Sequence, residues 1–402
     1  MGKCPICKSE NKEIILNFNC GKFDGSRLYR TIRIASCSFC GHIFNDLEDN
    51  EKEDLNEYYD KEYALINFEN IGVYGKNNAN YDKLSGKNYF DLYKIIGHYL
   101  NKNSNILDIG CKTGGFISYL YNQGFRNLFG VDTIYPYVDY AKKVTSCSIE
   151  YCSQYSLPYE DNFFDFINMN QVLEHISDPL KIFSEIYRVL NDGGLLCVGL
   201  PDAERYSNFY FFDLYWFSLR EHVQHFDLEH LYMLASQYGF NIEEHFNTEY
   251  NMMSDKMIMP NMYVIFKLDK KSRNDFKIKE KFLLKRNILL YVDMERKKSS
   301  DKKKNLQFAI TPDAPIYLWG VGREFFYMYE NLGLKQYNNL NLIDSNVFKQ
   351  NNFLVDGRSI QNPSILESAP PDSLLIISAI AHSEPIKYHA GLCGYKGKIL
   401  EF

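Results

Sequence analysis

The sequence predicts an α/β chain organised around a doubly wound, mostly parallel sheet, with a cysteine-rich module before it and a second α/β domain after it. Three observations carry that expectation. Asn105-Ile106-Leu107-Asp108-Ile109-Gly110-Cys111-Lys112-Thr113-Gly114-Gly115 joins an apolar run, an acid and a glycine-bent turn, then passes into a helical pattern with Phe116, Ile117, Tyr119 and Leu120 on one face. Such a turn lets a ligand approach the backbone closely, with the amides of a helix N-terminus pointing at it. The next apolar run, Asn127 to Val131, ends in Asp132, roughly 20 residues on, the spacing at which a second-strand carboxylate meets a ribose hydroxyl. Finally, Cys4-Pro5-Ile6-Cys7 and Cys37-Ser38-Phe39-Cys40 form two knuckles separated by 29 residues.

Taken in order, residues 1–45 are expected to be the zinc-binding module. Four thiolates suit tetrahedral zinc with no open position, a staple for the fold rather than a reaction centre. Two unrelated reduced pairs are the alternative, and Cys20 and His42 are substitute ligands that break the knuckle symmetry. Cys111, Cys147, Cys152, Cys197 and Cys393 sit in strand or turn contexts, where cysteine behaves as a small apolar residue. Residues 46–103 are acidic first and tyrosine-rich afterwards. Glu57-Tyr58-Tyr59-Asp60-Lys61-Glu62-Tyr63 and Tyr74 offer flat faces and hydroxyls to a substrate or to ordinary packing. Tyr89 to Leu100 reads as an amphipathic helix covering the sheet, with Tyr89, Leu92, Tyr93, Ile96 and Leu100 inward.

Residues 104–268 form the expected core. Asp178-Pro179 opens a helix that Gly193-Gly194 closes, and Leu195 to Leu200 is a buried strand. Trp216-Phe217-Ser218-Leu219-Arg220-Glu221-His222-Val223-Gln224-His225-Phe226 then places two histidines and a glutamate among aromatics. A histidine there can take a proton near neutral pH while the acid orients a ring or a hydroxyl. His222 is the functional candidate, and His225 is expected to cap or pack. Gly239 to Phe246 and Asn261 to Leu268 complete a seven-stranded sheet with one antiparallel member.

On Leu107 to Gly114, Gly130-Val131-Asp132, Leu157 to Asp165 and Val172-Leu173-Glu174-His175-Ile176-Ser177-Asp178-Pro179, the core resembles the class I S-adenosylmethionine-dependent methyltransferases. The resemblance implies that Asp108 and Gly110 lie beside the methionine end of S-adenosylmethionine, that Asp132 binds the ribose, and that Ser153 and Gln154 lie near the adenine. It adds Cys111, Thr113, Gly114 and Asn170 to the cofactor set. Lys112 and Ser153 depart from that family, which usually has glycine and aspartate there. With the knuckles and the Glu221-His222 pair, the chain also resembles the zinc-containing sugar C-methyltransferases of deoxysugar pathways. Their Tyr-His-Glu-His stands here as Leu219-Arg220-Glu221-His222, so the hydroxyl that could hold a ketone oxygen is missing. The implied activity is methylation of a nucleotide-linked sugar or glycan at carbon or oxygen, with His222 as general base, Glu221 as its partner and no catalytic metal. Two rivals remain: a ribosomal or transfer RNA base methyltransferase, since RNA guanine methyltransferases also place a zinc module before such a core, and a non-enzymatic cofactor-binding scaffold.

Residues 269–308 read as a basic helical linker: from Asp269 to Lys304 there are fourteen Lys or Arg against six Asp or Glu. Phe276, Leu283, Leu284, Ile288 and Val292 give it a broken stripe, that of a solvated helix between domains; an RNA-binding patch is the sharper alternative. Residues 309–402 repeat an α/β pattern, with Ile316 to Gly322 as strand and turn, Arg323 to Leu332 as helix, and strands at Leu340 to Asp344 and Leu374 to Ile377. Gly320, Gly322 and Asp344 could bind a second nucleotide, but the third glycine is absent; Arg323 and His382 are polar candidates for the substrate cleft. The formal net charge of −6 over 402 residues offers no global field for nucleic acid. No apolar run approaches the ~20 residues that cross a bilayer, no signal core opens the chain, and Ile6 stands where N-myristoylation wants Ser or Thr. A cytoplasmic protein is expected, and nothing in the sequence assigns an oligomeric state.

Overall fold

Short strands flank the cysteine knuckles: β1 (Lys12–Asn19), β2 (Thr31–Cys37) and β3 (Ile43–Asn45), with β3 antiparallel to β2 through Ile34↔Asn45 and Ser36↔Ile43. The computed structural model describes residues 2–63, 79–208, 216–217, 219–251, 258–272, 278 and 282–401. Tyr74, Ser218 and Phe276, named above, lie outside them. Helix α1 (Asp49–Tyr58) starts at a Glu48/Glu51 capping box, which satisfies two N-terminal donors, and ends in one π-helical turn, Tyr59–Tyr63.

Helix α2 (Ala79–Ile96) precedes the central elements: β4 (Ile106–Ile109), α3 (Gly115–Asn122), β5 (Leu128–Asp132), α4 (Tyr135–Val144), β6 (Ser148–Tyr151), β7 (Phe164–Asn170), α5 (Pro179–Val189), β8 (Leu190–Pro201), β9 (Gln224–His225), α6 (Leu228–Ser236), β10 (Phe240–Asn251) and β11 (Ile258–Leu268). The sheet runs β10-β11-β8-β7-β4-β5-β6. Strand β11 is antiparallel to both neighbours, and β8, β7, β4, β5 and β6 pair in parallel. The period of two sorts its side chains onto two faces. Leu107, Ile109, Val131, Ile167 and Val198 join one apolar cluster with Ile182, Phe183 and Ile186 of α5 and Leu231 of α6. Ile106, Leu128, Phe166 and Ile265 join another with Leu92 and Ile96 of α2, and Phe116, Ile117 and Leu120 of α3. Helix α5 ends at Val189, four residues before the expected Gly193-Gly194 stop, because Leu190 already pairs with Phe164 and is buried as the first residue of β8.

After α7 (Leu283–Ala309) come β12 (Ile316–Trp319), α8 (Arg323–Asn331), β13 (Leu340–Ile343), α9 (Val347–Asn352), β14 (Leu354–Val355), β15 (Arg358–Gln361), β16 (Leu374–Ile377), α10 (Ser383–Leu392) and β17 (Lys398–Glu401), a second sheet in the order β14-β15-β13-β12-β16-β17. Helix α7 is less solvated than its composition suggests, since Leu284, Ile288, Tyr291, Val292 and Leu306 are buried.

Contacts divide the chain into two units: Met1–Ile15, Ile34–Phe212 and Glu221–Ile288 form one, and Leu16–Arg33, Asp213–Arg220 and Leu289–Phe402 the other. Residues 1–45 are split because Cys4, Cys37 and Cys40 share the apolar cluster of β4 and β7, whereas Phe23 packs edge-on to Phe326 and stacks on Phe353. Arg220 belongs to the second unit too, where its guanidinium donates to the carbonyl oxygens of Gly21 and Tyr29. Among the described residues, no helix is long and apolar enough to cross a membrane.

Candidate functional site

The carboxyl ends of β4, β5, β6 and β7 meet at a cleft. It lies where the strand order reverses, with β5 on one side of β4 and β7 on the other, the position at which open α/β sheets bind ligands. Gly110 turns the chain after β4 at φ +74°, and a Cβ there would stand 2.4 Å from Cγ2 of Val172; only glycine fits. Two residues on, Lys112 takes the left-handed conformation at φ +49°, at a cost of about 1 kcal/mol for a residue with a Cβ. Its N–H donates to Oδ2 of Asp132 at 2.9 Å, and Ile134 N–H donates to Oδ1 at 2.9 Å. Asp132 is therefore oriented by the backbone around it, and burial raises its pKa against those hydrogen bonds.

Of the nine residues expected at the cofactor, Gly110, Asp132 and Gln154 line the cleft. Asp108 is buried behind it, accepting Asn168 Nδ2 at 2.7 Å, and its carboxyl is pushed up to about 7 by that burial. Cys111 is buried against Gly130, Gly114 is the N-cap of α3 at φ +76°, and Thr113 stands outside the lining. Ser153 is exposed, with its hydroxyl accepting Tyr155 N–H at 3.2 Å, and its neighbours Cys152 and Gln154 reach the cleft instead. Asn170 is outside the lining too, with its amide oxygen facing Gly199.

The catalytic candidates Glu221 and His222 are not themselves in the cleft lining and reach it through His175. His222 and Glu221 are both buried. The ring of His222 stands edge-on to that of His175, with centroids 4.7 Å apart, and His175 lines the cleft. Nδ1 of His175 lies 2.9 Å from the carbonyl oxygen of Glu221 and 3.0 Å from the Tyr59 hydroxyl. The Glu221 carboxylate accepts the Tyr58 hydroxyl at 3.2 Å. The tyrosine missing at Leu219 is thus matched by hydroxyls from α1 and the π turn, which brings Tyr59 and Tyr63 to the cleft. Glu174 is 1 % exposed, neither carboxylate oxygen has a hydrogen-bond partner among the described residues, and burial pushes its pKa up to about 8. His225, as expected, is a packing residue: it is buried, its Nδ1 lies 3.3 Å from the Tyr206 hydroxyl, and burial drives it down to about 3.

Sequence reasoning missed Glu174, His175 and Lys112 as site residues. Glu174 and His175 were visible within a motif, shortly after a strand whose carboxyl end points to the cleft. Of the tyrosine run offered to a substrate or to packing, Tyr59 and Tyr63 line the cleft, and the π turn that aims them has no sequence mark.

The four knuckle sulfurs cluster: Cys4 to Cys40 is 3.7 Å and Cys7 to Cys37 is 3.6 Å. A tetrahedron with metal–sulfur bonds of ~2.3 Å has edges of about 3.8 Å, so these residues fit zinc. Hydrogen bonds from Cys4, Cys40 and Cys7 hold Cys37 far below an ordinary thiol. His230 supports the loop by bonding from Nε2 to the Cys40 carbonyl at 3.0 Å, with Nδ1 on Asp227 at 2.6 Å. His42 is turned away to Gln224 at 2.9 Å, and Cys20 belongs to the other unit, so neither replaces a knuckle cysteine. In that unit Asp344 accepts Val321 N–H and Asn346 N–H, each at 2.9 Å, and pairs with Lys349 at 3.0 Å. The acid offered to a second nucleotide is thus held by two backbone N–H groups as Asp132 is, and differs from it in the ion pair with Lys349.

Residues 81–245 match the model of a methyltransferase domain family. An uncharacterized methyltransferase of Schizosaccharomyces pombe is 35% identical over 115 residues, 25% of this chain and 40% of that protein. The tRNA U34 carboxymethyltransferase of Campylobacter curvus is 26% identical over 112 residues, 26% of this chain and 37% of that enzyme. The match thus spans well under half the length of either relative. A SAM-dependent methyltransferase structure from Methanosarcina mazei aligns at 22% identity and a TM-score of 0.38, over 44% of this chain and 98% of that one.

Proposed function

We propose, from the premise that residues 81–245 are a class I S-adenosylmethionine-dependent methyltransferase domain, that this chain methylates a carbon or oxygen of a nucleotide-linked sugar. The carrying observation is the His175–His222 ring pair beside a cleft walled by Tyr59, Tyr63, Tyr137 and Tyr155. Phenol rings offer flat faces to the C–H side of a sugar and hydroxyls to its polar edge. S-adenosylmethionine, when bound, supplies a methyl group on a sulfonium centre. Asp132, Gly110 and Gln154 would hold it, and the tyrosines would orient the acceptor in line. His222 assists loss of the acceptor's proton as general base, and Glu221, fixed by Tyr58, sets the loop that carries it. The knuckle cysteines would hold a structural zinc.

The test is a mass-shift screen of the full chain with S-adenosylmethionine and a panel of nucleotide-sugars. A +CH2 product is expected, with His222→Asn lowering turnover by about 10² to 10⁴ while cofactor affinity holds. No product across the panel, or an unimpaired variant, overturns the reading. A second reading, methylation of RNA, is favoured by the similarity to a tRNA enzyme, and the net charge alone does not exclude it. Transfer RNA belongs in the same screen.

A further inference from the structure

Glu174 is the least explained charged group of the first unit. It is 1 % exposed, and both carboxylate oxygens lack a hydrogen-bond partner among the described residues. A buried carboxyl without donors is costly, and native structures resolve such cases with a proton, a water or a cation. Two imidazoles stand close to it. Nε2 of His175 lies 4.0 Å from Oε1 of Glu174, and a ligand atom from each of Glu174, His175 and His222 falls within 4.8 Å of the others.

The tautomer of His175 adds an independent indication. Its Nδ1 faces the Glu221 carbonyl oxygen at 2.9 Å, which can only accept, and the Tyr59 hydroxyl at 3.0 Å, which can accept as well as donate; a hydrogen on Nδ1 suits both and leaves the lone pair on Nε2, the nitrogen toward Glu174. Donation of the second ring N–H to a backbone carbonyl is how metal-binding histidines are held in the ligating tautomer. We propose that Glu174, His175 and His222 bind a divalent transition-metal cation at the edge of the methyl-transfer cleft.

Two imidazoles with one carboxylate suit Mn²⁺, Fe²⁺, Co²⁺ or Zn²⁺, whereas Mg²⁺ and Ca²⁺ prefer oxygen donors throughout. Metal–ligand bonds of ~2.1 Å place neighbouring donor atoms about 3 Å apart, so closing the triad takes side-chain rotations of roughly an ångström. Three protein ligands leave open positions. Because His175 is itself part of the cleft wall, those positions face the space where an acceptor would sit. The acceptor class is then an oxygen donor, a hydroxyl or a ketone beside a hydroxyl, able to enter the coordination sphere. This rests on the methyl-transfer reading and refines one part of it: with the ion bound, the His222 lone pair holds the metal, and the ion acidifies the acceptor's oxygen or the C–H next to its carbonyl.

The probe is Mn²⁺, which does not compete for four thiolates, added to the full chain with its knuckle zinc in place. Electron paramagnetic resonance should show one Mn²⁺ taken up per chain, with spin-echo modulation from imidazole nitrogen. Glu174→Gln, which keeps shape and neutralises the carboxylate, and His222→Asn should each weaken uptake by at least about tenfold. No uptake at millimolar Mn²⁺, bound Mn²⁺ without nitrogen modulation, or equal uptake by wild type and both variants overturns the site. The nitrogen signal is read on the wild-type chain, so it decides the matter even if a variant fails to fold. A chain that methylates a nucleotide-sugar yet takes up no Mn²⁺ removes the metal and leaves the transfer reading intact. Uptake with no sugar product does the reverse.

Discussion

Both oxygens of Asp132 accept backbone N–H groups, from Lys112 and Ile134, so the carboxylate is aimed before any ligand arrives. Pre-orientation of this kind would spare a ribose ligand the cost of ordering the carboxylate. Asp132→Ala should weaken S-adenosylmethionine binding by about 1.5 to 3 kcal/mol for each ribose hydrogen bond lost, and Asp132→Asn, which keeps one acceptor, should fall between. Calorimetry that finds equal affinity for wild type and Asp132→Ala would remove the residue from the site. This acid was legible because spacing alone places it at a strand tip. Ser153 and Asn170 were assigned through resemblance, and neither lines the cleft: a turn hydrogen bond occupies the Ser153 hydroxyl, and the Asn170 amide oxygen faces Gly199. Lys112 kept the backbone shape that glycine would give while leaving a cation in the cleft lining.

At the scale of elements, the knuckles and β9 show what packing adds to pattern. The CxxC pairs were readable as a cluster of four cysteines, but their joining of the sheet's own core was not, since burial of sulfur beside β4 and β7 is a tertiary fact. Metal analysis should find one zinc per chain bound at Cys4, Cys7, Cys37 and Cys40, and Cys37→Ser should lose it together with stability; a zinc-free chain that folds normally would sink the assignment. His225 gives β9 a different signature. Held neutral at about 3, below the unfolded value of 6.5, it contributes stability that is full above pH 6.5 and is lost as pH falls toward 3. In that window the unfolding free energy from urea titration should decline by about 1.4 kcal/mol per pH unit from this group. Asp108, raised to about 7, runs the other way: its contribution is full below its unfolded value and is lost as pH rises through 7. The comparison that isolates His225 is therefore wild type against His225→Phe, in which Asp108 cancels. Equal slopes in the two proteins would show that His225 is protonated in the folded state.

For the molecule as a whole, the alternation of strand and helix was legible from residue 105 onward because each sheet is doubly wound and its strands read as short apolar runs. The division into units was not, because it depends on which apolar residues of 16–33 and 289–309 find partners, and sequence order says nothing of that. Charge is the property of the whole chain with the most direct bearing on substrate. The net charge is −6, yet residues 269–304 carry fourteen basic against six acidic side chains, a local excess that an RNA could use and a small sugar nucleotide could not. An RNA seated on half a dozen of those cations releases counterions from each phosphate, so its affinity should fall about 10³-fold between 50 and 200 mM salt. A nucleotide-sugar with two phosphates held in the cleft should lose less than about tenfold over the same range. Titrating the full chain with the acceptor identified by the mass-shift screen, at four salt concentrations, gives the slope directly. A shallow slope that is unchanged when Lys302, Lys303 and Lys304 are replaced by glutamine supports the sugar. A steep slope that flattens in that variant would overturn it, and would make the basic stretch of α7 part of an RNA-binding surface.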